Sequence, residues 1–87
     1  MAKTFAELER DPAATADQLK TVLEEYVTSG TAINPSVVID LVKRINPSRE
    51  DRRKLLSSAE RGYASQFARG ETKAAAEYAR VARHLDR

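Results

Sequence analysis

The tetrapeptide Ile-Asn-Pro-Ser occurs twice in this 87-residue chain, at residues 33–36 and again at residues 45–48. An Asn side chain accepts hydrogen bonds from the free amides of a first helical turn, and a Pro suits the first helical position because its missing N–H would have no partner there. Each copy therefore predicts the point where one helix stops and another begins, and the new helices are predicted to start at Pro35 and at about Pro47. The copies share this capping role only, because Val-Val-Ile follows the first and Arg-Glu-Asp-Arg-Arg follows the second.

The chain before these copies predicts two helices. A Thr followed three residues later by Glu or Gln has the spacing of a capping box, and Thr4 with Glu7 and Thr15 with Gln18 have this spacing. They predict a short helix at about residues 5–9 and a longer one at about 15–29, which Gly30 ends. The longer helix carries an apolar residue every three or four positions, as on one side of a helix: Leu19, Val22, Leu23, Tyr26 and Val27.

The helices that follow the two copies differ in their apolar residues. The helix predicted at 35–45 carries six of them in nine positions, which favours a place in the middle of a bundle. The helix predicted at 47–69 is the longest, and Gly70 ends it. Its apolar residues predict a buried line that consists of Leu56, Ala59, Tyr63 and Phe67, with Leu55 beside it.

A last helix is predicted at 72–86, with Ala74, Tyr78, Val81 and Leu85 spaced as in antiparallel helix pairs. We expect it to fold back on the preceding helix around Arg69-Gly70-Glu71. The sequence thus predicts one all-α domain over residues 1–87, a small bundle of four to five helices that ends in an antiparallel αα-hairpin.

Composition limits the possible environments. Hydrophobic residues make up 41% of the chain and charged residues 32%, a balance typical of a globular protein. No apolar run is long enough to span a membrane, and the N-terminal residues lack the apolar core of a signal peptide. We therefore expect a cytoplasmic protein with no membrane partner. The absence of Cys excludes disulfides and thiolate metal sites.

Catalytic groups are sparse. The single His, His84, falls near the end of the last helix, where a cation interacts favourably with the helix dipole. It has no second ligand at helical spacing for a metal, and no nucleophile is placed beside it in the sequence. We expect no enzyme activity, no cofactor, no metal and no small-molecule substrate.

Two features indicate binding. The start of the helix at 47–69 is basic, through Arg49, Arg52, Arg53 and Lys54, and the last helix has a strip of small residues, Ala75, Ala79 and Ala82, that could admit another helix. We expect a protein-interaction module, acting as an adaptor, assembly or regulatory subunit through the C-terminal hairpin and binding another protein or a second copy of itself. The alternative is a small DNA- or RNA-binding regulator that uses the basic residues on phosphates.

Overall fold

The structure, a computed structural model, describes residues 4–86 and contains five helices in that range. They are α1 (Phe5–Arg10), α2 (Ala16–Ser29), α3 (Pro35–Ile45), α4 (Arg49–Ala68) and α5 (Thr72–Leu85). The contact between α4 and α5 is the most extensive, α2 packs on α4, and α1 packs on α3. The predicted all-α bundle with a C-terminal αα-hairpin is confirmed.

The first Ile-Asn-Pro-Ser copy starts a helix as predicted. The Asn34 Oδ1 atom accepts a hydrogen bond from the Ser36 backbone N–H at 3.1 Å, and Pro35 is the first residue of α3. The chain reaches Asn34 in an extended conformation, with φ −96° and ψ 106°, so its side chain is free to cap the helix that follows.

The second copy is used differently, and the predicted start of a helix at Pro47 is wrong. Asn46 has a left-handed φ of 50° and ends α3, its N–H donating to the Val42 carbonyl at 2.9 Å. Helix α4 instead begins at Arg49, and the Ser48 Oγ atom accepts a hydrogen bond from the Asp51 N–H at 3.2 Å. Because α3 extends to Ile45, the Asn of this copy is needed to stop a helix, and Asn tolerates the left-handed conformation.

The core lies where the five helices meet. It consists of Phe5, Leu8, Leu19, Val22, Leu23, Ile33, Val38, Leu41, Val42, Leu55, Ala59, Tyr78, Val81 and Leu85. Helix α3 packs against α1, α2 and α5. It buries Val38, Leu41 and Val42, while its remaining apolar residues are only partly covered, so one side of this helix is buried and not its whole circumference.

The side of α4 that faces the core differs from the predicted one. Its buried residues are Leu55, Ser58, Ala59, Gly62 and Gln66, whereas Tyr63 and Phe67 are exposed. The reason is the close approach of α5: a Cβ atom on Gly62 would overlap the ring of the fully buried Tyr78. Gly62 on the inner side of α4 therefore makes room for the ring of Tyr78.

Candidate functional site

The outer side of α4 carries residues at alternating spacings of four and three. They are Arg49, Arg53, Leu56, Glu60, Tyr63 and Phe67, and we call this set the outer stripe. These spacings average about 3.6 residues, the repeat of an α-helix, so the six residues lie in one line along α4. The stripe is basic at its start and aromatic at its end.

The aromatic end of the outer stripe holds the exposed large hydrophobic residues of the described chain. Tyr63 is 40% exposed and Phe67 is 59% exposed. Their rings stack on each other, with centroids 5.8 Å apart and planes inclined by 26°. Two large rings held together in this way form a preorganised apolar patch, because neither needs to be ordered further when another surface covers it.

A groove runs beside the stripe, between α4 and α5. Leu56, Glu60 and Tyr63 line one wall, and the other wall consists of Ala79, Ala82, Arg83 and Asp86. The groove has a volume of about 510 Å³. Because the α5 wall contains two Ala side chains, the groove is open to a neighbouring helix, and charged residues lie around its apolar part.

The predicted strip of three alanines divides between two surfaces. Ala79 and Ala82 line the groove and are partly exposed, as a docking role requires. Ala75 is only 1% exposed and lies inside the bundle. Its small size serves the packing of α5 within the protein, so it cannot be contacted by a partner.

The four predicted basic residues also divide into two groups, those with partners within the described chain and those without. Arg52 is partly buried, and its Nε and Nη2 atoms donate to the carbonyls of Leu85 and His84 at 3.2 and 3.0 Å. It therefore closes the C-terminal end of α5, where free carbonyls and the helix dipole favour a cation. Lys54 forms an exposed ion pair with Glu50, in which its Nζ atom lies 3.8 Å from the Glu50 Oε1 atom.

Arg49 and Arg53 remain as accessible cations. Both side chains are exposed, and neither forms a hydrogen bond or an ion pair with any of residues 4–86. Both belong to the outer stripe. A solvated Arg at a protein surface is common. Here two of them lie at one end of the outer stripe and two aromatic rings lie at the other, so the two ends of the stripe differ in charge and polarity.

The groups with shifted pKa values lie away from the stripe. Hydrogen bonds from Lys20, and then from Arg61 and Ser58, lower the pKa of Glu24 against its partial desolvation. Burial raises the pKa of the Tyr78 hydroxyl to about 12, and this hydroxyl donates to the Thr31 carbonyl at 3.3 Å. These contacts connect α2 to α4 and α5 to the turn after α2, so both groups serve the packing of helices.

Within residues 4–86, no three His, Cys, Asp or Glu side chains lie close enough together to hold a metal ion. None of the helices described is both long and apolar enough to cross a bilayer.

Comparison of the chain with protein-family models, with curated proteins and with solved structures finds no match.

The exposed aromatic pair is the feature that sequence reasoning missed. The buried residues 55, 59, 62 and 66 and the predicted apolar line 56, 59, 63 and 67 share residue 59, and both have spacings of three and four, so both were regular candidates for burial. The signal that distinguishes them is Gly62, because a Gly inside a helix costs about 1 kcal/mol relative to Ala and so indicates a close approach of another helix.

Proposed function

We propose that this protein is a non-catalytic protein-binding module, an adaptor, assembly or regulatory subunit, whose contact surface is the outer stripe of α4 together with the groove beside it. The observation that carries the proposal is the orientation of α4. This helix turns Gly62, Ser58 and Gln66 inward and leaves Tyr63 and Phe67 exposed.

Energetics support a partner at this surface. Covering a large aromatic side chain contributes about 1.5 to 3 kcal/mol, and binding surfaces derive much of their affinity from a few such anchors. Tyr63 and Phe67 provide two anchors next to a groove, and the exposed charged residues Glu60 and Arg83 line that groove. An apolar centre with a charged rim is the usual composition of a protein interface.

The nucleic-acid alternative has weaker support. Of the four basic residues that suggest it, Arg52 is bound to carbonyls of α5, which leaves Arg49, Arg53 and Lys54. Three exposed cations beside Glu50 make few phosphate contacts, so any affinity for nucleic acid would be low and would fall steeply with salt.

Photo-cross-linking in the cells that make the protein tests the proposal. A benzophenone amino acid replaces Phe67 in one variant and Lys43, an exposed residue of α3, in a matched control. We expect a discrete cross-linked protein adduct from position 67 and none of the same mass from position 43. Equal adducts from both positions, or none from position 67, would overturn the proposal.

A further inference from the structure

We infer that the occupant of the outer stripe is the same stripe of a second copy, with the two α4 helices antiparallel about a twofold axis level with residue 58. This inference rests on the proposed function and names its partner. It follows from the order of residues along the stripe, which is basic at one end and aromatic at the other. A second stripe that runs in the opposite direction therefore places its aromatic end opposite the basic end of the first.

The register follows from the positions alone. Residues 49 and 67, 53 and 63, and 56 and 60 are each symmetric about residue 58. In an antiparallel pair with its axis at that level, every stripe residue therefore meets a stripe residue of the second copy. The alternating spacing of four and three keeps all of them on the seam between the helices.

The facing groups are chemically matched. Arg49 meets Phe67 of the second copy and Arg53 meets Tyr63, and a guanidinium over an aromatic face is attractive once water is partly excluded. Twofold symmetry repeats each contact, so both exposed rings and both accessible arginines of each copy are used.

A charge pair adds to these contacts at the centre. Glu60 of the second copy is level with Leu56, three residues from Arg53, which corresponds to about 4.5 Å along the helix axis. A long Arg side chain spans that distance, so its guanidinium reaches both the ring of Tyr63 and the carboxylate of Glu60 from the second copy. Arg53 is thus the residue on which the pairing depends most.

The opposite arrangement is disfavoured by the same charges. Two parallel α4 helices in register would bring Arg49 against Arg49 and Arg53 against Arg53, and like charges repel across such a seam. The aromatic rings would meet each other and leave the cations unpaired. The order of charges along the stripe therefore selects the antiparallel pair.

The size of the surface sets the expected affinity. From residue 49 to residue 67 the stripe is about 27 Å long. With α5 beside it, the face is about 20 Å wide and has roughly 540 Å² of projected area per copy, below the roughly 800 Å² per partner of a standard stable interface. We therefore expect a reversible dimer with Kd in the micromolar range.

Sedimentation of the purified protein from about 1 to about 500 µM tests the inference, since a micromolar Kd lies within that range. We expect a monomer–dimer equilibrium that Arg53→Glu and Glu60→Arg each weaken at least tenfold. The double variant Arg53→Glu/Glu60→Arg exchanges the pair and is expected to recover at least tenfold over either single variant. Lys43→Glu, which makes the same charge change on α3, serves as the control and leaves Kd unchanged, and helical circular dichroism verifies folding.

A wild-type protein that stays monomeric at the highest concentration would overturn the inference, as would a double variant no better than the singles. Cross-linking at position 67 separates the two proposals. A monomer whose position 67 forms an adduct with a different protein refutes the second copy and leaves the proposed function standing. An absence of both dimer and adduct overturns both.

Discussion

The two sides of α4 invert the usual relation between size and burial. The inner side packs with Ser58, Gly62 and Gln66 among its buried residues, while the outer side exposes Tyr63 and Phe67. Fit to the neighbouring helix therefore decides which side of this helix is buried. Tyr78 of α5 occupies the space that a side chain at position 62 would take.

This arrangement separates stability from binding. On the inner side of α4, Gly62 packs against Tyr78 of α5, and this contact holds the hairpin together. The outer stripe stays exposed to solvent in the folded monomer. Substitutions on the inner side should therefore change the free energy of unfolding, and substitutions on the outer side should change association.

Truncation of Tyr78 should have the largest effect. The side chain is fully buried against Gly62, so Tyr78→Ala leaves a cavity and is expected to lower the free energy of unfolding by about 3 to 5 kcal/mol. Urea unfolding followed by circular dichroism measures the loss. A loss below about 1 kcal/mol, the level of a surface substitution, would show that the ring is not the centre of the hairpin.

Alkaline pH should act through the same residue. Because the pKa of Tyr78 is raised above its usual value of 10.0 to about 12, its contribution to stability is complete below pH 10 and is lost as the pH rises through about 12. Tyr78→Phe removes this ionisation and should reduce the loss of stability over that window. Urea unfolding at a series of pH values compares the two proteins, and parallel curves would contradict the assignment.

Filling the space at Gly62 should come next. Gly62→Val places side-chain atoms against the ring of Tyr78 and is expected to cost about 1 to 3 kcal/mol through overpacking. Ala64→Val, at an exposed position of α4, is the control and carries only the small helix-propensity cost of a β-branched residue. Equal losses from the two variants would mean that the close approach of α5 does not determine the orientation of α4.

Replacement of Arg52 tests whether this residue of the basic segment contributes to stability or to binding. Arg52→Ala removes two hydrogen bonds to the last turn of α5 and is expected to cost about 1 to 2 kcal/mol, whereas Arg49→Ala should stay within about 0.5 kcal/mol. Thermal and urea unfolding of both variants compare them. If Arg49→Ala were the more destabilising, the separation of a clamping arginine from an accessible one would be wrong.

The helices were predictable from the sequence because their signals are local. The reciprocal hydrogen bonds of Thr15 with Gln18 and the left-handed Gly30 follow from residue type and spacing alone. The role of the second Asn-Pro pair was not predictable in this way. Asn46 ends a helix because α3 extends to it. The role of the four residues is therefore determined by the part of the chain that precedes them.

Features of the candidate site depend on contacts between distant residues and were only partly predictable. The groove residues Ala79 and Ala82 and the accessible Arg49 and Arg53 were identified from their types. The internal use of Arg52 depends on α5 ending beside the start of α4, about 33 residues later, which no local pattern encodes. The same holds for Arg44 of α3, which donates to the carbonyls of Leu8, Glu9 and Asp11 and so closes the end of α1.

The most direct test of the account is the free energy of unfolding of Phe67→Ser, measured at a protein concentration low enough for the monomer to dominate. If the outer side of α4 serves binding, the variant should lose less than about 1 kcal/mol, because the ring is already 59% exposed. A loss of about 3 kcal/mol or more, the cost of truncating a buried Phe, would contradict the account by showing that this side of the helix belongs to the core.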